Sequence, residues 1–287
     1  VNPAARFELV PNISEGRRPA VIDECIAAME DAGARVLHRT SDAAHHRSVI
    51  TAAGSAAEVV AAAVALASVV RDSVDLREHR GAHPRIGALD VLPFVPLADA
   101  TLADAATLAQ SAAERIWNEL GVPSYLYGAA ARSPQRVHLA DVRRGEFEGL
   151  AARIADDAGW AFDFGDAAHA SAGAIAIGAR PLLIAFNVEL GSDDIDAARR
   201  IARMLRGSSG GLRSLKCLGL RLSDQRVHVS CNLTDVDAVP LYRVTELVRR
   251  AAARAGVPVT RSELIGLAPA RVIVRTARAY AAAGAVT

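Results

Sequence analysis

Arg47-Ser48-Val49-Ile50-Thr51-Ala52-Ala53-Gly54-Ser55-Ala56-Ala57-Glu58 passes from strand to helix in one short run. Arg47–Ala52 reads as a strand. Ser55 and Glu58 have capping-box spacing, in which the hydroxyl takes one free N–H of the first turn and the carboxylate reaches back to another. The helix they open runs to the neighbourhood of Asp72. Upstream, Phe7–Pro11 reads as a strand that enters the loop Pro11–Arg17. Val21, Ile22, Cys25, Ile26 and Met29 recur at helical spacing within Pro19–Gly33, and Ala34–His38 reads as another strand. Downstream, a strand at either Val74–Leu76 or Leu89–Val95 completes the order βαββαβ, the split βαβ or ferredoxin-like unit.

The same order returns later in the chain. Thr101 to Asp104 starts a helix that ends at Leu120 before Gly121, Ser124–Tyr127 is a short strand, and Glu146–Asp157 is helical. Phe164–Gly173 looks irregular. From Pro181 onward the reading is a strand at Leu182–Leu190, a helix capped by Ser192, and strands Leu215–Leu222 and Arg226–Leu233 around a turn at Ser223–Gln225. A helix from Pro240 to Gly256, a strand at Val257–Leu264 and a last helix follow. The expectation is an α+β protein of two ferredoxin-like subdomains, residues 1–181 and 182–287. Packed side by side, they would present a substrate groove or tunnel between them.

Bulk properties narrow the function. A length of 287 residues is long for one core and suits two domains. The formal charge of +1, from 33 basic and 32 acidic side chains, argues against a general nucleic-acid binder. Cys25, Cys217 and Cys231 lie far apart without C-x-x-C spacing, so neither a disulfide framework nor a zinc site is expected. No secretory signal pattern opens the sequence, and Val59–Val70 is too short to span a bilayer. A cytoplasmic protein without membrane contact is expected.

The chemistry concentrates in His79-Arg80-Gly81-Ala82-His83-Pro84-Arg85-Ile86-Gly87-Ala88-Leu89-Asp90. Two histidines, two arginines, two glycines and a proline have no use in a core segment. Pro84 pushes His83 toward extended backbone. Histidine titrates near neutral pH, so His83 can take and return a proton within one cycle. His79 reads equally as its partner, as a substrate contact or as a structural residue. Arg47 and Arg85, and likewise Arg132, Arg136 and Arg180, are candidate forks for carboxylates. Asn12, Ser14 and Glu15 follow the first strand, and Asn187 and Asn232 lie within later ones, where a buried amide needs partners. His38, His45, His46, His79 and His83 crowd one third of the chain, but no HExxH or paired C-x-x-C appears, and no metal is expected. Walker A and G-x-G-x-x-G loops are absent, so no nucleotide cofactor is expected, and with no G-x-S-x-G nucleophile elbow expected, serine-hydrolase chemistry is not expected either.

Several long motifs resemble one family. They are Val10-Pro11-Asn12-Ile13-Ser14-Glu15-Gly16-Arg17, the His79–Val91 stretch, Pro93-Phe94-Val95-Pro96, and Tyr125-Leu126-Tyr127-Gly128 with Ala131-Arg132. Further matches are Gly178-Ala179-Arg180 with Ile184-Ala185-Phe186-Asn187, Ser230-Cys231-Asn232-Leu233, and Ser262 to Leu267. Together they resemble the glutamate formiminotransferase family, the formiminotransferase domain of the formiminotransferase-cyclodeaminase enzymes. The resemblance implies transfer of a formimidoyl group from N-formimidoyl-L-glutamate to N5 of tetrahydrofolate, in histidine degradation and one-carbon metabolism. Folate is then a substrate, with no metal and no nucleotide, and the protein is a homodimer joined through its N-terminal subdomain. His83 matches the catalytic base. Gly165, His169, Ser171 and Gly173 fall in the folate-side segment. Asn12, Arg47, His79, Arg85, Tyr127, Arg180 and Asn187 fall to substrate binding. Alternatives are a glutamate formyltransferase acting on 5-formyltetrahydrofolate and a non-catalytic folate-binding protein. One departure concerns the donor: bacterial members usually read Ser-Asp-Pro-Asp-His-Asn-Arg-Ser where this chain has Ser41-Asp42-Ala43-Ala44-His45-His46-Arg47-Ser48.

Overall fold

In the computed structural model, which describes residues 2–81, 83–221 and 226–284, the chain divides into two units between Pro181 and Leu182. The first unit begins with β1 (Phe7–Leu9) and β2 (Asn12–Ile13), two pieces of one strand interrupted at Val10-Pro11. Then come α1 (Pro19–Asp31), β3 (Arg35–Asp42), β4 (Arg47–Gly54), α2 (Ala56–Ser73) and β5 (Leu89–Pro96). The capping box forms: Ser55 accepts from Glu58 N–H, and the Glu58 carboxylate accepts from Ser55 N–H at 2.6 Å. Of the two positions expected for the strand after α2, Leu89–Pro96 is the one adopted; Val74 only ends the helix.

β4 lies between β3 and the β1/β2 pieces, and β5 closes on their other side, all antiparallel. This is the ferredoxin-like order. The chain then adds α3 (Leu102–Leu120), β6 (Ser124–Gly128), α4 (Leu139–Val142), α5 (Glu146–Asp156) and β7 (Ile175–Ala179). β7 enters between β5 and β6, parallel to both, and gives a seven-stranded sheet. The sequence reading missed β2, α4 and β7. Ile175-Ala176-Ile177-Gly178-Ala179 is poor in β-favouring side chains and is a strand because both of its edges are paired.

The two faces of this sheet differ. On the first, Phe7, Leu9, Ile50, Ala52, Leu92, Phe94, Ile175 and Ile177 pack with residues of α1, α2 and α3 in the main core. On the second, Val91, Tyr125, Tyr127 and Ala176 pack with Val142 and Leu150 beneath α4 and α5. Strand register puts Glu8 beside Val95, and Asn12 beside Val49 and Val91, on that second face.

The second unit contains β8 (Ile184–Leu190), α6 (Ile195–Leu205), β9 (Leu215–Arg221), β10 (Val227–Leu233), α7 (Leu241–Arg254), β11 (Val259–Ile265) and α8 (Ala270–Ala282). The order β11-β8-β10-β9 is the ferredoxin-like arrangement of four antiparallel strands. Asp194, rather than Ser192, caps α6: its side chain accepts from the N–H groups of Asp196 and Ala197, both at 2.9 Å. The turn expected at Ser223–Gln225 lies outside the described residues. All three cysteines are free, with Cys217 and Cys231 opposed across β9 and β10 and their sulfurs 3.2 Å apart.

Candidate active site

The loop between α2 and β5 carries His83, and the turn of the β3–β4 hairpin packs against it. Glu15 is fully buried after β2, and its carboxylate accepts from the N–H groups of Arg17 at 2.7 Å and Arg18 at 3.0 Å. The β3–β4 hairpin turns through Ala44-His45-His46, closed by Asp42, which accepts from Ala44 N–H and His45 N–H, each at 2.8 Å. Gly81 passes against this turn so closely that a Cβ there would lie 2.4 Å from the His45 carbonyl oxygen.

His79 joins turn and loop. Its Nε2 lies 3.0 Å from the His46 carbonyl, which can only accept, so Nε2 donates. Its Nδ1 accepts from Arg85 Nε at 3.3 Å, and the ring is therefore held neutral. Burial also pushes its pKa down. Both of its ring nitrogens are occupied, and the residue is 5% exposed. His46 packs edge-on against it, ring centroids 4.3 Å apart. The backbone of His46 is left-handed at φ 52°, a conformation that asparagine and histidine tolerate better than most residues. Histidine at position 46 thus meets the backbone requirement of the turn.

Arg85 faces away from a carboxylate-binding role in this structure. Its Nη atoms pair with Glu148 at 2.7 and 2.9 Å and with Glu146 at 3.1 Å, which ties the start of α5 to the His83 loop. Arg136 and Arg132 are likewise committed: Arg136 to Asp163 at 2.7 Å and to the carbonyls of Gly159 and Ala161, Arg132 to the Asp163 carbonyl at 3.3 Å.

Arg47 and Arg143 bear on His83, and each has its own anchor, Asn12 and Asp90. Arg47 opens β4 and donates to the Asn12 side-chain oxygen, while Asn12 Nδ2 donates to the Val10 carbonyl at 3.0 Å. Arg143, in the turn between α4 and α5, donates to Asp90 of β5. Asp90's other oxygen accepts from Ile86 N–H at 2.8 Å, within the His83 loop. Burial, then the charges of Arg47, Arg143 and His45, hold the half-buried His83 imidazole down at about 3. It is unprotonated at physiological pH, and an anion paired with these guanidiniums would restore part of its basicity. Burial likewise lowers Arg47, to about 10, helped by Arg143. Tyr127 is buried on β6, and its phenol is pushed up by burial against the opposing charges of Arg180 and Arg143. Arg180 follows β7, donates to the Pro181 carbonyl at 3.1 Å, and bears on Glu8, whose carboxyl is raised by burial.

The segment expected on the folate side is a tight bracket. His169 and Gly173 exchange backbone hydrogen bonds of 2.9 Å, and His169 Nδ1 accepts from Ala172 N–H at 3.1 Å and Ser171 N–H at 3.4 Å. Gly173 bridges to Gly87, so the bracket braces the end of the His83 loop. Gly165 sits against Pro123 and Trp117, at the other end of that segment. Asn187 belongs to the second unit, half-buried on β8 opposite Ser230 and Glu263, where it lines a cavity of about 70 Å³ with His228.

Arg143 and Asp90 escaped the sequence reading as site residues. Asp90 had a signal, a carboxylate inside the apolar run Leu89–Val95; Arg143, beside Arg144 in a polar turn, had none. A Gly-x-Ser-x-Gly spacing does occur at Gly207–Gly211, but it follows a helix and leads to a strand, the reverse of a nucleophile elbow. Among the described residues no group of three or more His, Cys, Asp or Glu could hold a metal, and no helix is long and apolar enough to cross a membrane.

This constellation, a neutral imidazole between guanidinium groups on an α+β scaffold, suits acid–base transfer on an anionic small molecule. Residues 6–180 match the N-terminal subdomain of the formiminotransferase domain, and residues 185–285 match the formiminotransferase domain that follows it. A glutamate formimidoyltransferase of Streptococcus pyogenes serotype M1 is 42% identical over 276 residues, 95% of this chain and 92% of that one. That of Thermoplasma acidophilum is 40% identical over 279 residues, 95% and 91% of the two chains. The formimidoyltransferase-cyclodeaminase of Sus scrofa is 38% identical over 282 residues, 95% of this chain but 52% of that longer protein. The chain belongs to the formiminotransferase family.

Proposed function

We propose that the protein transfers the formimidoyl group of N-formimidoyl-L-glutamate to N5 of tetrahydrofolate. The observation that carries this reading is the constellation around His83: a half-buried imidazole on the loop between α2 and β5, with Asp90 holding that loop at Ile86 N–H on one oxygen and Arg143 on the other. Among the described residues the His83 ring has no side-chain hydrogen-bond partner, and its polar contact is with the Pro84 backbone. N5 attacks the formimidoyl carbon and forms the new N5–C bond. His83 accepts the N5 proton, then delivers it to the glutamate nitrogen as the old C–N bond breaks. The products are 5-formimidoyltetrahydrofolate and glutamate, and the histidine ends unprotonated. Arg47, with Asn12 fixing its orientation, suits a substrate carboxylate. The bracket of His169, Ser171 and Gly173 supports the His83 loop, and its place beside that loop suits the folate side. Names of the relatives support the donor and the reaction class. Histidine degradation, a cytoplasmic site of action and a homodimer belong to this reading, and sedimentation of the purified protein tests the last.

The test is an assay with tetrahydrofolate and N-formimidoyl-L-glutamate, followed by the 5,10-methenyl chromophore after acid treatment. Replacing His83 by Asn should lower kcat by about 10²- to 10⁴-fold. Undiminished turnover in that variant would reject the assignment of the base. Turnover of 5-formyltetrahydrofolate with glutamate, but not of the formimidoyl donor, would replace the reaction.

A further inference from the structure

We propose that Arg143 acts with Arg47 as a paired carboxylate receptor for the amino-acid substrate, held in place by Asp90. The inference rests on the proposed transfer and adds a residue that sets donor specificity.

Three observations carry it. First, Arg143 is anchored on one side only: it donates to Asp90, while its Nε is buried and has no hydrogen-bond partner. Arg47 repeats the pattern, with one nitrogen on Asn12 and a buried, unpartnered Nε. Each guanidinium thus spends one Nη on its anchor, and a guanidinium fork presents paired N–H groups that match the two oxygens of a carboxylate. Second, the charges do not balance. Two guanidiniums and a neutral imidazole face one buried carboxylate, Asp90. Asp42 is half exposed and engaged with His45. The surplus positive charge calls for an anion, and a carboxylate fits the guanidinium edge. Third, Asp90 couples receptor to base. One oxygen holds Arg143, and the other holds Ile86 N–H, three residues beyond His83. Docking of a carboxylate on Arg143 therefore sets the register of the loop that carries the base.

Titration of the full chain with L-glutamate, the amino acid the transfer releases, tests this by calorimetry. Arg143→Lys keeps the charge but loses the fork. The double variant Arg143→Gln with Asp90→Asn removes the ion pair together, so that no buried carboxylate is stranded. Thermal melts establish that both fold. Glutamate affinity should fall about 10- to 100-fold in each, the loss expected for a charged hydrogen bond. The KM for the formimidoyl donor should rise in step, while the KM for tetrahydrofolate stays unchanged. Wild-type glutamate affinity in either folded variant would overturn the proposal, and so would a native chain that binds glutamate no better than the double variant. A native chain that binds glutamate but transfers nothing would sink the proposed reaction and leave the receptor standing.

Discussion

His83 concentrates what one residue contributes here. Its imidazole has an ordinary value near 6.5 in the unfolded chain and is held at about 3 in the native one. Between those values the unfolded chain binds a proton that the native state refuses. Stability is therefore lost as pH falls from about 6.5 toward 3. His83→Gln should flatten the slope of urea midpoint against pH over that window. His46, His79, His169 and His228 are also lowered by burial and leave a residual slope in the variant. Equal slopes in the two proteins would mean that His83 titrates normally. The activity profile should show the same depression: kcat/KM, which reports the free enzyme, should have no limb near 6.5 from this group. His83 was legible in the sequence because Pro84 and the flanking glycines make no sense in a core. The assignment of its neighbours was not: whether an arginine turns to Glu148, as Arg85 does, or to a site, as Arg47 does, depends on contacts between segments distant in the chain.

Among the elements, capping and periodicity were readable and sheet extension was not. Ser55 and Glu58 announce α2 through a local reciprocal hydrogen bond, whereas Ile175–Ala179 becomes β7 only through its long-range partners β5 and β6. The consequences for mutation differ accordingly. Ser55→Ala should cost about 1 kcal/mol, the usual value of a lost N-cap, and leave KM alone. Gly173→Ala is a different matter. The residue has φ 68°, and an added Cβ would lie 2.2 Å from the Ile86 carbonyl oxygen. Backbone must shift there, and what shifts is the bracket bracing the His83 loop. Gly173→Ala should destabilise by more than about 1 kcal/mol and lower kcat as well. Denaturant midpoints and kcat measured on both variants check the contrast; a Gly173→Ala protein with native kcat would show that the bracket is only structural.

At the scale of the whole molecule, the two-part reading followed from a repeated βαββαβ order, and each part has a core of its own. The large clusters of the first unit draw only on residues up to Ala179, and that of the second only on residues from Ile184 onward. The second unit's sheet also completes the four-strand ferredoxin-like order without a strand from the first. Both conditions for independent folding are met: a contiguous chain and a private hydrophobic core. Residues 182–287 expressed alone should therefore give mixed helix and strand circular dichroism and a single cooperative thermal transition. Leu218 and Leu220 are exposed on the sheet face turned away from α6 and α7, at 57% and 42%, and invite self-association of the fragment. Leu218→Ser should keep it soluble without loss of cooperativity, because that side chain takes no part in the cluster. A fragment that melts without a transition, even with that substitution, would mean that the first unit supplies something its core needs.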